Sequence, residues 1–343
     1  MAVPIEAAVR SLTRSAEGVE ADIRLLSRLG DLQQLLEDDL AWVEAALVES
    51  TGRGESPGRD ASRHLVARGG KRVRPMALLL SAACFGKVSP IVREAALVAE
   101  LVHTATLLHD DVIDDGAERR GAPTSRTIWG NAVSVLAGDL LLVDALERMG
   151  RQAPTVLPGL FATLRELVDG EIVQLRGRVE LDVSRDTYDR VLRGKTASLF
   201  RWATSTGARL GGGSEADQER LGTVGELVGM AFQLVDDSLD YTNECSDKTA
   251  LADLRDGKMT LPLVLAIERN PDLVGSVLRV HRGEDASLAE VRQLVLESGA
   301  CDEVRRLANA QTARALDILR AAPKSEARRL LEDVVSKLAE RSA

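Results

Sequence analysis

The sequence predicts an all-α fold, a single large helical bundle around a central cavity. Three observations carry this. Apolar residues recur at helical spacing along most of the 343 residues. Strand-like alternation is nearly absent, and aromatic residues make up only 3% of the chain. The connections are short, with no internal repeat or low-complexity tract, so one domain over residues 1–343 is expected rather than two.

In order, residues 1–30 read as a weakly amphipathic, poorly ordered leader. Leu32 to Glu49 is a better helix, with Leu35, Leu36, Leu40, Val43 and Leu47 along one side. Residues 51–60, TGRGESPGRD, form a loop by their Gly and Pro content. Helices are then predicted at 62–67, 76–84, 90–110, 124–149, 154–178, 186–210, 214–241, 258–269, 285–298, 300–321 and 324–341. Residues 270–343 carry no chemical motif and read as helical scaffold.

Composition narrows the function classes. Hydrophobic residues at 45% and charged residues at 28% are ordinary for a soluble globular protein. The formal net charge of -9 argues against general nucleic-acid binding, while leaving room for a local basic pocket. Cys84, Cys245 and Cys301 are far apart and form no CxxC pair, which fits a reducing cytoplasm without a zinc site or disulfide framework. No apolar run approaches the length of a membrane span, and the N-terminus lacks a signal-peptide core.

Chemistry concentrates in two acidic stretches. Asp110, Asp111 and Asp114 form a DDxxD set at the end of an apolar helical run. Asp110 and Asp114 are one turn apart and share a face, where like charges repel unless a cation sits between them. Carboxylates without Cys or His suit Mg²⁺, held by a few oxygens and substrate phosphates. A solvated acidic helix end fits one such set equally well. The second set, Asp236, Asp237 and Asp240 in FQLVDDSLDY, also ends an apolar run. Two such ends suggest two walls of one cavity, with metal ions clamping a polyphosphate between them.

Basic residues accompany them. In GGKRVRP (69–75), Lys71 and Arg74 are three apart and can point the same way, and Pro75 opens the next helix. Guanidinium suits bidentate phosphate contact, and ammonium acts as a point charge. A solvated basic turn is the plain alternative. Gly194-Lys195-Thr196 lacks the upstream glycine and strand of a phosphate loop, so that reading is rejected.

With GGKRVRP (69–75), LLHDDVIDDGAERRG (107–121), GKTASLF (194–200), FQLVDDSLDY (232–241) and DLRDGKMTLP (253–262), the chain resembles the trans-isoprenyl diphosphate synthases, or polyprenyl synthetases, of medium- to long-chain type. The resemblance spans about Gly69 to Pro262. It implies the isoprenoid synthase type of all-α fold, Mg²⁺ bound by both acidic sets, a homodimer, and head-to-tail condensation of isopentenyl diphosphate with an allylic diphosphate. It implies that Lys71, Arg74, His103 and Arg120 bind isopentenyl diphosphate, and that Arg119 and Lys195 bind the allylic diphosphate. It places Thr196 and Gln233 in the cavity as polar residues, and has Lys248 and Lys258 close over the diphosphate. One departure is Asp247, where the family usually has glycine before the first of these lysines; it bears on the local turn at Lys248. His109 receives no role.

The same resemblance puts chain-length control on the helix carrying Asp110. Short-chain members commonly have an aromatic ring just before the first aspartate; here Ala105 and Thr106 are small, with Leu101 and Val102 a turn further on. Products of C20 or longer are therefore expected rather than farnesyl diphosphate. Two rival classes are weaker fits. A terpene cyclase would resemble neither GGKRVRP nor the second DDxxD, and a non-catalytic partner subunit typically loses the acidic motifs that are intact here.

Overall fold

The computed structural model describes residues 36–242, 251–284 and 286–340. The leader at 1–30, Asp247 and Lys248 lie outside the described residues. Residues 36–50 are helical. There follow α1 (Gly58–Val66), α2 (Val73–Ala83), α3 (Pro90–Ile113), β1 (Glu118–Arg119), β2 (Ala122–Pro123), α4 (Ser125–Trp129), α5 (Asn131–Gln152), α6 (Leu157–Glu180) and α7 (Arg185–Val191). A π-helical turn at Leu192–Ala197 leads into α8 (Ser198–Leu210). Then come α9 (Glu215–Thr242), α10 (Ala252–Arg255), α11 (Leu261–Arg269), α12 (Leu273–His281), α13 (Ala286–Glu297), α14 (Ala300–Leu319) and α15 (Glu326–Glu340). The fold is all-α; among the described residues β1 and β2 are the only strands. No described helix is long and apolar enough to cross a membrane.

The chain divides into two compact units. The first takes the described residues to Leu160, with Trp202–Gly222 and Ala322–Glu332. Its central helix is α3, apolar on nearly every side, with Val92, Leu97, Val98, Leu101, Val102 and Leu108 fully buried. It packs along α5 and against α2. Elsewhere in this unit, backbones approach closely at glycines. A Cβ on Gly207 would lie 2.3 Å from the Leu78 carbonyl oxygen, and one on Gly211 2.4 Å from that of Ala82. Glu100 is the one carboxylate buried in mid-α3, and Arg72 answers it at 2.7 Å. The same guanidinium holds Glu44 through Nε and Nη2 at 2.7 and 2.9 Å. Arg72, the middle cation of GGKRVRP, is thus a structural residue at the N-cap of α2.

The second unit takes Phe161–Arg201, Thr223–Ala321 and the described residues from Asp333. Its core lies under the second half of α9, where Met230, Leu234, Val235 and Tyr241 pack with Leu263, Val264, Val291, Val295 and Val304. Helix α11 is buried from Leu261 through Ile267. It ends where Asn270 leaves helical geometry ahead of Pro271.

Element boundaries differ from the sequence expectation where glycine and proline act locally. The single helix expected at 124–149 is two, because Gly130 takes φ 86° between α4 and α5. That expected at 186–210 is interrupted by the π-helical turn, which contains Gly194. Helix α2 begins at Val73, so Pro75 sits inside its first turn rather than opening it. Thr260 is extended, so the helix expected from 258 starts at Leu261. Helix α12, within the stretch taken as undifferentiated scaffold, and the short hairpin were not anticipated.

Both described cysteines are buried, and burial pushes the Cys84 thiol up to about 12 and the Cys301 thiol up to about 11. At pH 8 their thiolate fractions are on the order of 10⁻⁴ and 10⁻³. Iodoacetamide should therefore leave Cys84 and Cys301 unmodified in the folded protein and label them in denaturant. Peptide mass mapping checks this, and labelling of Cys84 within minutes under native conditions would contradict it.

Candidate active site

In the first unit, the last turn of α3 carries the first acidic set. Asp111 is 2% exposed and turns inward, its Oδ1 accepting from Arg119 Nε at 2.7 Å. Burial raises its pKa, opposed by the Arg119 guanidinium and assisted by Asp114. Asp110 and Asp114 are half-buried on the adjoining face, with Asp114 capping the helix. The chain then reverses through Asp115, which takes φ 53°, and enters the hairpin, where Glu118 pairs with Pro123 and Arg119 with Ala122. The two residues between the strands, Arg120 and Gly121, both have positive φ, as a tight two-residue hairpin turn requires. Arg72, Asp115 and Arg120 are three of the five described non-glycine residues in this left-handed region. Each costs of order 1 kcal/mol, a strain that clusters where side chains must be aimed.

The hairpin and the GGKRVRP turn meet over His103. Burial holds the His103 pKa well below its ordinary value, and the charges of Arg74, Arg120, Arg119 and Arg72 lower it further. His103 is therefore neutral and able to donate one hydrogen bond. Arg120 and Gly70 are close neighbours: a Cβ on Gly70 would lie 3.5 Å from Arg120 Nη1. Burial and the neighbouring arginines Arg72 and Arg119 lower the Arg120 pKa, opposed by Glu100 and Asp111. Lys71 and Arg74 are half-buried in the same turn and first helical turn. Arg74, His103, Arg119 and Arg120 thus form one basic cluster, the environment an anion requires.

His109, without a role from sequence, acquires a structural one. Its Nε2 lies 3.2 Å from the Val135 carbonyl and 3.3 Å from Asp139 Oδ1, over the bare backbone of Gly138. Below the acidic set, Thr106 is half-buried on the same face as Asp110 and donates to the His103 carbonyl at 2.8 Å. Ala105 is buried, as are Leu101 and Val102.

In the second unit, α9 repeats the pattern. Asp237 is 3% exposed and turned inward, receiving Tyr188 Oη at 2.6 Å and Gln233 Nε2 at 2.8 Å. Burial, with Asp253 and Asp236 nearby, raises its pKa to about 7 against those two hydrogen bonds. Asp236 and Asp240 are half-buried. Gln233 also accepts from Thr196 Oγ1 at 3.0 Å, so Thr196, Gln233, Asp237 and Tyr188 form one chain of hydrogen bonds. These groups line a cavity of about 130 Å³ together with Lys195, Gln174, Asp253 and Lys258. Lys258 Nζ is 3.2 Å from both Asp253 and Asp256.

Lys195 is placed by the π-helical turn. A Cβ on Gly194 would lie 2.7 Å from the Glu166 carbonyl oxygen, and one on Gly170 2.8 Å from the Lys195 backbone nitrogen. Two bare backbones touch there, and Lys195 Nζ consequently meets Glu171 in an ion pair and Gln174 Oε1 at 3.0 Å. Tyr188, Glu171, Gln174 and Arg72 are the residues that sequence reasoning missed. Asp253 lay within a quoted motif without a role. The glycines at 170 and 194 were the available signal for the α6 contact.

The donor set fits Mg²⁺. In each acidic set the first and last carboxylates are half-buried, and the middle one is buried and hydrogen-bonded within the protein. Among the described residues no three His, Cys, Asp or Glu side chains converge on one point. Mg²⁺ commonly takes only one or two protein carboxylates, completing its shell with phosphate oxygens and water. Asp110 with Asp114, and Asp236 with Asp240, could serve in that way.

The family model described as polyprenyl synthetase matches residues 57–297. The all-trans-nonaprenyl-diphosphate synthase of Rhodobacter capsulatus is 37% identical over 79% of this chain and 85% of its own length. The heptaprenyl diphosphate synthase component 2 of Geobacillus stearothermophilus is 36% identical over 90% of this chain and 97% of its own. The crystal structure of polyprenyl synthase from Caulobacter crescentus, complexed with calcium and isoprenyl diphosphate, aligns with a TM-score of 0.84 at 36% identity, covering 91% of this chain and 97% of that one. Two acidic helix ends, a basic cluster and agreement across nearly the full length of these proteins lead to one assignment: this chain belongs to the polyprenyl synthetase family.

Proposed function

We propose that this prenyltransferase condenses isopentenyl diphosphate head-to-tail with an allylic diphosphate, with Mg²⁺, to give a trans-polyprenyl diphosphate of C20 or longer. The observation that carries this is the repeated acidic geometry, each set having an inward aspartate fixed by protein partners and two half-buried carboxylates beside it. The relatives support a product of this class, as their names run from geranylgeranyl to nonaprenyl diphosphate synthases. A short-chain isoprenyl diphosphate synthase from Methanothermobacter thermautotrophicus is also 32% identical. Identity at this level therefore leaves length to the residues below Asp110. Farnesyl diphosphate synthesis is the nearest alternative. The chain is proposed to act as one all-α domain in the cytoplasm.

In this reading Asp110, Asp114, Asp236 and Asp240 hold Mg²⁺, with Asp111 and Asp237 positioning them. Bound Mg²⁺ supplies positive charge to the diphosphate leaving group. Lys195 adds an ammonium to the allylic diphosphate, with Arg119, and Lys248 and Lys258 close over it. Thr196 and Gln233 fix the polar wall beside it. The allylic C–O bond breaks, and its electron pair leaves with diphosphate. The isopentenyl double bond attacks the resulting carbocation, forming the new C–C bond. Loss of a proton to the released diphosphate restores an allylic product. Lys71, Arg74, neutral His103 and Arg120 hold the isopentenyl diphosphate throughout. Buried aliphatic side chains such as Leu101, Val102 and Leu108 keep water from the α3 wall.

Product analysis of the purified chain with Mg²⁺, isopentenyl diphosphate and a labelled allylic primer tests the reading; no chain elongation would overturn it. The substrates separate by mutation. Lys71→Ala and Arg74→Ala should each raise KM for isopentenyl diphosphate about tenfold to hundredfold, the range for charged hydrogen bonds. Lys195→Ala should act mainly on the allylic KM. A Lys71→Ala enzyme changed only in allylic KM would reverse the two pockets.

A homodimer is also proposed. On α5, Leu136, Leu140 and Val143 stand 60%, 40% and 53% exposed at helical spacing, more apolar surface than a solvated face carries. Sedimentation should give the dimer mass for the wild type and a lower mass for Leu136→Glu/Val143→Glu. A monomeric wild type would overturn it.

A further inference from the structure

We infer that Glu171 is a positioning residue that holds Lys195 between turnovers and competes with diphosphate for it. This rests on the reading of Lys195 as a diphosphate ligand. Three observations carry it. First, the backbone contact of Gly170 with Gly194 is built from glycines that admit no Cβ, and the residues following each are Glu171 and Lys195. The fold thus sets this carboxylate and this ammonium side by side. Second, Lys195 and Gln174 line the cavity, the side chains of the pair are 13% (Glu171) and 23% (Lys195) exposed, and Gln174 Oε1 adds a second acceptor at 3.0 Å. Third, Glu171 Oε1 is buried and has no hydrogen-bond partner among the described residues.

With Oε1 already lacking a donor, losing the ammonium leaves the whole Glu171 carboxylate uncompensated. Diphosphate therefore gains Lys195 only against that cost, and Glu171 is a true competitor for it. Glu171 keeps Lys195 extended toward the cavity while no substrate is bound. It draws Lys195 back when inorganic diphosphate must leave. A lysine without this competitor would bind diphosphate more tightly and release it more slowly.

The test is calorimetric titration of inorganic diphosphate with Mg²⁺ into the full chain, alongside steady-state kinetics. Glu171→Gln keeps the shape and removes the charge. It should tighten diphosphate binding about fivefold, the scale of a partly screened ion pair, with kcat falling and the allylic KM falling with it. In a Lys195→Gln background the same change should have no further effect, which separates action through Lys195 from a general structural role. If Glu171→Gln lowers Tm and does not fold, Gln174→Met, which removes only the neighbouring acceptor, should tighten diphosphate in the same direction. Diphosphate affinity unchanged within about twofold, or an effect that persists undiminished without Lys195, would overturn the inference. A wild-type chain that binds diphosphate yet elongates no primer would instead overturn the proposed function.

Discussion

Asp110→Ala and Asp236→Ala should each lower kcat roughly 10²- to 10³-fold, the cost of removing one group that stabilises charge in the transition state. The reason is positional. Each of these carboxylates opens its DDxxD set and lies half-buried, beside an aspartate that the protein has already claimed. Removal leaves one carboxylate of the pair to orient an ion whose remaining shell is phosphate oxygen and water, so its placement against the diphosphate loosens. EDTA should abolish turnover, and added Mg²⁺ should restore it. The two middle aspartates should behave differently. Asp237→Asn retains acceptance from Tyr188 at one oxygen and should lose less rate than Asp236→Ala. Asp111→Ala strands the Arg119 guanidinium in a partly buried hairpin and should lower thermal stability as well as rate. Stopped assays with labelled isopentenyl diphosphate, and melting curves on the same preparations, separate these cases. Near-normal turnover in EDTA would remove the metal from the mechanism.

The asymmetry inside each acidic set shows where sequence reading ends. The spacing of Asp110 with Asp114, and of Asp236 with Asp240, follows from helical period alone and was legible. Which aspartate turns inward depends on residues remote in sequence, as with Tyr188 at Asp237. A one-dimensional pattern carries no such partner. The same holds for Arg72. Next to Lys71 and Arg74 it reads as one of three cations, yet Glu100, the carboxylate buried in mid-α3, consumes it. Long helices such as α3 and α9 were found because their apolar residues repeat over many turns. Helix α12 was missed because Pro271 before it, Gly275 within it and Gly283 after it read as loop punctuation. The breaks at Gly130 and around Gly194 were missed for another reason. Glycine inside a helical pattern is often tolerated, and only the opposing backbone decides whether it kinks, bulges or passes straight through.

A phenylalanine placed just below Asp110 should shorten the product. The growing chain must extend away from the diphosphate, and α3 offers small side chains at the two positions where a ring would first obstruct it. Thr106 lies four residues before Asp110, on its face and half-buried. Ala105 lies one residue further, about 140° around the helix from Asp110 and about 7.5 Å along it. Ala105 is 2% exposed and packed within the first unit, so a ring there must displace neighbours as well as substrate. Thr106→Phe therefore isolates the obstruction, and Ala105→Phe combines it with a packing cost of about 1–3 kcal/mol. Both enzymes should stop at C15 or C20 under conditions in which the wild type makes longer chains. Ala105→Phe should in addition melt several degrees lower. Reversed-phase chromatography of the dephosphorylated products reads the lengths directly. A wild-type product no longer than C15, or unchanged profiles in both variants, would place the determinant of length elsewhere than on α3. In that case the small residues at 105 and 106 serve only the packing of that helix.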